Sequence, residues 1–236
     1  MTPTTTNSSD NPIALFWSFR SPYSYLALPR LKALSESTGV PIQMRVVHPN
    51  ILRNTNYFKT MNPLARPYFM HDTQRMAAYL GMPFRRPVPD PIVQNPQTLE
   101  VDSNQPLARW LGHLGIAATE VGRGFAFCWE VSQLLWNGSV DQWHKGNHLR
   151  DACQRCNLDW DSLQAKVAGN PQYYEQQLQA NADTLAQAGH WGVPTMVYGS
   201  ETFFGQDRID VLAWHIKNRQ HIEQGVASED KTNQAD

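Results

Sequence analysis

The order of apolar and polar positions in the first fifty residues predicts a strand, a helix and a second strand. Residues 13–20 open with an uninterrupted apolar run, which is typical of a short buried strand. Residues 21–37 carry apolar side chains at helical spacing, and Gly39 stands where helices commonly end. Residues 41–47 alternate as a second strand, which is parallel to the first because a helix connects them.

The middle of the chain is predicted to be helical. Prolines are frequent between residues 48 and 97, so one helix at residues 68–80 is the only long element expected there. Helical spacing of apolar residues then predicts four further helices, at residues 106–114, 117–136, 158–167 and 170–188. This pattern indicates a large all-helical insertion.

After Gly189 the hydrophobic period changes again. Residues 193–198 and 201–204 are typical of two hairpin strands, and residues 208–220 of a final helix. A strand–helix–strand unit, a run of helices and a strand–strand–helix unit together predict an α/β fold. Its core is thioredoxin-like and is interrupted by the large helical insertion.

The same pattern predicts the domain boundaries. We expect a thioredoxin-like domain formed by residues 12–60 and 189–222, interrupted by a helical insertion domain at residues 61–188. The polar composition of residues 1–11 and 223–236 predicts a disordered leader and a disordered tail.

Composition narrows the classes of partner. The chain has 236 residues, of which 41% are hydrophobic and 17% charged, as in an ordinary globular protein. A formal net charge of -1 gives no electrostatic basis for binding nucleic acid or an anionic membrane surface. No run approaches the roughly 20 apolar residues of a membrane span, and the polar start lacks signal-peptide features. We therefore predict a cytoplasmic protein.

The three cysteines do not form a disulfide framework. Cys153 and Cys156 have the spacing of a redox pair, but they lie in a polar, helical segment that follows no apolar strand. Two cysteines alone do not complete a zinc site, although His144 and His148 lie nearby in sequence. We expect neither a metal site nor redox chemistry from this pair.

The first strand runs into the first helix at a junction suited to an anion. Ser21 can cap the helix and Pro22 can occupy its first turn, where backbone N–H groups and the helix dipole favour negative charge. Thioredoxin-like proteins place Cys-x-x-Cys here and keep the first sulfur as a thiolate. Both positions are serine in this chain, Ser21 and Ser24, so the junction suits a thiolate that the chain itself lacks.

A second signal lies at Val193-Pro194, where a proline opens a predicted strand. In thioredoxin-like proteins this proline is cis, and its loop lies beside the active-site turn. The backbone N–H and C=O of Val193 would then be free to pair with an extended peptide.

Three motifs in this order resemble the 2-hydroxychromene-2-carboxylate isomerase family, which is related to kappa-class glutathione transferases and DsbA-type oxidoreductases. They are Ser-Pro-Tyr-Ser-Tyr-Leu-Ala at residues 21–27, Gly-Val-Pro-Thr at 192–195 and Phe-Gly-Gln-Asp-Arg at 204–208. Residues 65–81 also resemble the family's pattern, and the similarity covers residues 13–220.

The resemblance implies glutathione as cofactor and a homodimer that acts on a small-molecule substrate. Ser21 would hydrogen-bond the glutathione sulfur and favour its thiolate, and Val193, beside Pro194, would hold the cysteinyl backbone. The γ-glutamyl end would be held by the segment Phe204, Gly205, Gln206 and Asp207.

The implied reaction is reversible thiolate addition to an unsaturated aromatic oxo acid, bond rotation and elimination, as in aromatic compound degradation. The candidate substrate-binding residues are Tyr23, Arg53, Asn62 and Arg66. Arg53 or Arg66 is suited to a carboxylate, because a guanidinium can donate two parallel hydrogen bonds. The family commonly has an acidic residue where this chain has Ser18.

Two other functions stay open. A kappa-like glutathione transferase or peroxidase would consume glutathione, whereas the isomerase would not. A non-catalytic thioredoxin-like binding module would bind no glutathione. A dithiol oxidoreductase is disfavoured because Ser21 and Ser24 replace both cysteines.

Overall fold

The computed structural model describes residues 11–54 and 56–232, and the side chains of residues 58, 59 and 223–232 are left out. Its strands form one four-stranded sheet in the order β2-β1-β3-β4. The strands are β1 (Ile13–Trp17), β2 (Ile42–Val46), β3 (Thr195–Tyr198) and β4 (Glu201–Phe204). β2 is parallel to β1, whereas β3 is antiparallel to both β1 and β4. The predicted α/β fold with a thioredoxin-like core is confirmed.

Ten α-helices occupy the described residues. They are α1 (Pro22–Thr38), α2 (Asn50–Arg53), α3 (Tyr57–Thr60), α4 (Ala65–Tyr79), α5 (Pro106–Glu120), α6 (Gly124–Trp136), α7 (His148–Arg155), α8 (Trp160–Gly169), α9 (Pro171–Gln187) and α10 (Ile209–Thr232). Within the described part of the chain, no helix combines the length and hydropathy of a membrane span.

Several helices differ from the prediction; α4, for example, begins at Ala65 rather than at residue 68. The predicted break near residue 115 is wrong, because α5 continues to Glu120 and the turn comes at Gly122, where φ is 71°. Gly115 instead allows close packing, since a Cβ there would lie 2.9 Å from Phe19 Cε2. The final helix extends to Thr232, so part of the predicted disordered tail is helical. Residues 1–10 of the predicted leader at 1–11, and residues 233–236 of the predicted tail, lie outside the described residues.

The helices and the sheet share one main hydrophobic cluster. Trp17 and Phe19 extend from the end of β1 towards the helices, with ring centroids 4.5 Å apart. Phe127 of α6 packs edge-on against Phe19 at 6.0 Å. The indole N–H of Trp136 donates to Phe19 O at 2.9 Å. The helical segment is therefore packed directly on the end of β1, and the division into two domains stays a prediction.

A partly buried polar cluster joins the end of β2 to α5 and α9. His48 Nε2 and His113 Nε2 each lie 3.0 Å from the Glu175 carboxylate, which also accepts a hydrogen bond from Arg109. Burial raises the pKa of the Glu175 carboxyl, but hydrogen bonds from His113, His48 and Arg109 outweigh it and lower the pKa to about 2. Burial lowers the pKa of His48. The folded state therefore favours the ionised form of the Glu175 carboxyl.

We expect Glu175→Gln to lower the free energy of unfolding at neutral pH by about 1–2 kcal/mol, since hydrogen bonds to a charged acceptor are lost. The folded-state pKa of Glu175 lies below its ordinary value of 4.5, so its contribution is complete above that pH and is lost as pH falls towards about 2. Urea unfolding between neutral pH and pH 3 measures the difference between the two proteins, which should shrink at acid pH.

The matched control is Glu36→Gln, which breaks an exposed pair with Lys32 on α1 and should change stability by less than about 0.5 kcal/mol. A Glu175→Gln protein as stable as wild type at neutral pH would contradict the role given to this cluster.

Candidate functional site

The first turn of α1 meets the loop that precedes β3. Ser21 is the N-cap of α1, and its Oγ accepts a hydrogen bond from the Ser24 N–H at 3.2 Å. The same hydroxyl donates to Val193 O at 3.3 Å, across 172 residues of sequence. The Val193–Pro194 peptide bond is cis, as predicted. The two motifs that the sequence analysis singled out therefore contact each other directly.

Only one of the two backbone polar groups of Val193 is available to a ligand. Its carbonyl accepts the Ser21 hydroxyl, so the prediction that both groups are unpaired is wrong for the C=O. Among the described residues, the Val193 N–H has no acceptor. Gly205 N donates to Pro194 O at 2.9 Å, which fixes the cis-proline loop against the end of β4. The loop thus presents an N–H donor beside the Ser21 hydroxyl.

A cavity of about 360 Å³ opens beside this contact. Ser21, Tyr23, Arg66, Val193 and Phe204 all line it, so the structure brings five predicted site residues together. Much of the remaining wall is apolar or aromatic: Ile51, Tyr57, Met61, Phe69 and Trp191. No Asp or Glu is among the described lining residues. The cavity is therefore apolar and its fixed charges are positive.

Tyr23 contributes its ring rather than a free hydroxyl. Its hydroxyl donates to Asp72 Oδ2, and its ring packs edge-on against Phe69 with centroids 5.3 Å apart. Burial and the Asp72 carboxylate raise the pKa of Tyr23 well above its ordinary value. The Tyr23 phenol thus stays neutral and provides part of the aromatic wall.

Arg53 and Asn62 are not placed as substrate ligands. Arg53 Nε donates to His48 O at 2.9 Å and Nη2 to Trp191 O at 2.7 Å, so the guanidinium joins α2 to the cis-proline loop. Burial lowers the pKa of Arg53. Asn62 is exposed, and its Oδ1 accepts from Leu64 N at 2.9 Å just before α4. Neither residue lines the cavity.

The predicted γ-glutamyl segment divides into a buried and an exposed part. Gln206 is buried, and Arg30 Nη1 donates to both its carbonyl and its side-chain Oε1, at 2.9 and 3.0 Å. Asp207 is exposed and pairs with Arg208 at 3.2 Å. Gly205 has φ 101°, which turns β4 into the short 3₁₀ turn before α10. Gln206 therefore positions the turn, whereas the Asp207 carboxylate faces outwards.

Arg20 is a cavity residue that sequence reasoning missed. Its Nε and Nη2 donate to the two carboxylate oxygens of Asp90, at 3.1 and 3.0 Å. Arg86 Nη2 donates to the same carboxylate at 3.2 Å. Burial raises the pKa of Asp90, but the charge and hydrogen bonds of Arg20 outweigh it, so the pKa is lowered overall. The only sequence signal was a cation directly before Ser21.

An aromatic stack at the cavity was also missed. The His190 ring stacks on Trp191 and on Phe204, with centroids 4.5 and 3.9 Å apart. Trp191 is 59% exposed and Phe204 46%. His190 Nδ1 accepts the Gly192 N–H at 2.9 Å, so the stack is fixed to the cis-proline loop.

The sequence and fold of the chain are similar to those of known proteins. The family model described as the DSBA-like thioredoxin domain matches residues 12–217. The chain belongs to this family. A curated relative, the 2-hydroxychromene-2-carboxylate isomerase of Sphingobium xenophagum, is 26% identical over 211 residues, which is 86% of this chain and 97% of that protein. The DSBA-like domain and its similarity to this isomerase confirm the predicted resemblance.

Two solved structures share the fold of this DSBA-like domain. A 2-hydroxychromene-2-carboxylate isomerase has a TM-score of 0.68 at 19% identity, covering 91% of this chain and 98% of that one. The cytosolic disulfide reductase DsbM from Pseudomonas aeruginosa, solved with GSH, has a TM-score of 0.57 at 13% identity, covering 89% and 99%. Together, the family and its isomerase relative support the conclusion that the chain is an enzyme of the general isomerase class.

None of the cysteines of this DSBA-like domain is among the described residues that line the cavity. Cys128, Cys153 and Cys156 are all buried free thiols. Burial raises the pKa of Cys153 to about 12 and of Cys156 to about 11, so both stay neutral thiols. Within the described ranges, no group of three or more His, Cys, Asp or Glu residues is arranged to hold a metal ion. The cysteines belong to the core.

We expect Gly192→Ala to displace the aromatic stack. A Cβ at Gly192 would lie 2.4 Å from Phe204 Cε2 and 3.1 Å from His190 Cε1, so the Phe204 ring must move. The lost stacking should lower the free energy of unfolding by about 1 kcal/mol, measured by urea unfolding. Gly169→Ala is the control, because nothing lies within 4 Å of that Cβ and stability should hold or rise. Equal stability of both variants would contradict the packing.

Proposed function

We propose that this protein is a glutathione-dependent isomerase of the 2-hydroxychromene-2-carboxylate type, acting on an unsaturated aromatic oxo acid. The observation that carries the proposal is the position of Ser21 Oγ, between the first turn of α1 and the cis-proline loop, at the wall of a positively charged apolar cavity. A hydroxyl donor at a helix N-terminus favours a bound thiolate, because both the hydrogen bond and the helix dipole stabilise negative charge.

The names of two relatives support this choice. A curated relative is a 2-hydroxychromene-2-carboxylate isomerase, and a disulfide reductase with the same fold was solved with GSH. A dithiol mechanism is disfavoured, because serines, Ser21 and Ser24, occupy the two positions that would carry the redox cysteines. A thiol from outside the chain is therefore needed at this junction.

The residues present fit glutathione at its sulfur and at its cysteinyl backbone. The Ser21 hydroxyl is suited to the sulfur, and the Val193 N–H, which lacks an acceptor in the described chain, to a peptide carbonyl. If the Ser21 hydroxyl turns towards a sulfur, it releases Val193 O, which can then accept a peptide N–H. The exposed Asp207 carboxylate is suited to the γ-glutamyl amino group. Gln206 supports that turn through Arg30 instead of binding the cofactor itself.

When bound, glutathione supplies a thiolate that adds reversibly to the conjugated substrate and leaves again after bond rotation. Ser21 holds the sulfur unprotonated through its hydroxyl, and the first turn of α1 stabilises the charge. Arg66, which lines the cavity, attracts a negatively charged substrate through its guanidinium. Tyr23, Phe69 and Trp191 enclose an aromatic ring and exclude water from it. The same proposal includes a homodimer in the cytoplasm.

The test measures glutathione binding by calorimetry and thiolate formation by ultraviolet absorbance, on wild type, Ser21→Ala and Ser24→Ala. We expect Ser21→Ala to lose the thiolate and to reduce isomerase turnover on the order of 10²-fold, as for loss of one preorganised donor. Ser24→Ala is the matched control, since the Ser24 hydroxyl is buried without a partner in the described structure and its removal costs little.

The outcomes separate the candidate functions. Turnover of a conjugated hydroxyaryl oxo acid without net loss of glutathione supports the isomerase, whereas consumption of glutathione with a model electrophile indicates a kappa-like transferase. Absence of binding at millimolar glutathione would falsify both, and would leave a non-catalytic thioredoxin-like module.

A further inference from the structure

Arg20 is fixed in the cavity wall by one edge of its guanidinium. Nε and Nη2 face Asp90, and the side chain is only 14% exposed. Nη1 has no acceptor within the described residues, although Arg20 lines the cavity. A guanidinium presents two forks, Nε with Nη2 and Nη1 with Nη2. Asp90 occupies the first fork, so the second is left for a ligand.

The surroundings of Arg20 carry more positive than negative charge. Arg86 shares the Asp90 carboxylate with Arg20, and Arg86 Nη1 contacts the Met70 sulfur at 2.9 Å. Arg66 lines the same cavity, and no carboxylate in the described chain pairs with it. Burial, and then repulsion from Arg20, lower the pKa of Arg86 although Asp90 opposes this. Arg20 and Arg86 thus share one carboxylate, and Arg66 adds a further positive charge at the cavity, which favours binding of a further anion.

The two sides of the cavity suit different ligands. Val193 and Phe204 belong to the cis-proline loop and β4, the side suited to an extended peptide such as glutathione. Arg20 is tied to the helical segment, since its partner Asp90 lies between α4 and α5 in the chain. An anion bound at Arg20 is therefore held by a different part of the cavity wall from the cis-proline loop.

We propose that Arg20 binds the carboxylate of the aromatic substrate through its open Nη1–Nη2 fork, with Asp90 and Arg86 as the residues that position it. This inference rests on the proposed function for the identity of the ligand. It makes the carboxylate a requirement for recognition and gives the substrate one orientation, with its acid group held beside Ser21. Arg66, which is exposed at the cavity, contributes attraction rather than orientation.

The experiment compares an aromatic carboxylate with its neutral amide. Calorimetry measures the binding of trans-2-hydroxycinnamate and of its carboxamide, each with and without saturating glutathione. For wild type we expect the carboxylate to bind about 10-fold to 100-fold more tightly than the amide, as for a charged bidentate hydrogen bond. A merely structural role for Arg20 would leave this ratio unchanged in Arg20→Gln.

Arg20→Gln should abolish the preference for the carboxylate and leave the glutathione affinity within about 2-fold of wild type. In Arg20→Gln, the Asp90 carboxylate keeps Arg86 as its only cationic partner. The double variant Arg20→Gln/Asp90→Asn also removes that carboxylate, and it should lose the preference for the carboxylate ligand in the same way. Thermal unfolding of both variants reports whether the fold is kept. The matched control is Arg150→Gln, which removes one positive charge from an exposed pair with Asp161 and should keep the full preference.

Three outcomes would overturn the inference. A preference that survives Arg20→Gln but is lost in Arg66→Gln assigns the carboxylate to Arg66. If Arg20→Gln weakens glutathione binding but keeps the preference for the carboxylate over the amide, Arg20 binds a carboxylate of glutathione instead. Equal binding of carboxylate and amide by wild type removes the anion site. If wild type binds no glutathione but shows an Arg20-dependent preference, the anion site stands and the proposed function fails instead.

Discussion

The candidate site depends on one contact between distant parts of the chain, the hydrogen bond from the Ser21 hydroxyl to Val193 O at 3.3 Å. The two segments meet because β1 pairs with β2 on one side and with β3 on the other, in a register that sets Phe16 opposite Thr195. A shift of one residue in β3 would turn its side chains to the other face and move the cis-proline loop away from α1. The sheet register therefore decides whether a helix cap becomes part of a binding site.

The helical segment builds the other half of the site and is tied to the same strand. The Trp136 indole donates to Phe19 O at the end of β1, and the Trp143 indole donates to Pro89 O at 2.8 Å, directly before Asp90. Two buried tryptophans therefore fix the two chain segments that carry Arg20 and its partner. The sheet positions the hydroxyl and the helices position the cation, so the chemistry depends on packing between them. The hydrophobic cluster that the sheet and the helices share provides this packing.

The sequence predicts the site features that depend on neighbouring residues. It does not predict those that depend on contacts between residues far apart in the chain. Ser21 as a helix cap and Pro194 at a strand start follow from neighbouring residues, and both are found in the structure. The predicted break between residues 114 and 117 is wrong, because α5 continues through Gly115, which packs against Phe19 from a distant part of the chain. Arg53 was expected to bind substrate, yet it donates to the Trp191 carbonyl, 138 residues away. Arg20 was overlooked because its partner lies 70 residues away in a proline-rich segment without periodicity.

A cavity that holds a thiolate and a carboxylate together must offset the repulsion between two anions, about 4 kcal/mol at 4 Å in a medium of intermediate dielectric. Here position 18 carries no negative charge, because Ser18 stands there with a buried hydroxyl that has no partner in the described structure. Arg20, directly before Ser21, adds a positive charge. Asp90 cancels part of this charge, but it holds the guanidinium through two hydrogen bonds. If an anion binds at Arg20, it is attracted less strongly than by an unpaired guanidinium but is held in a fixed direction, which the proposed rotation about one bond would require.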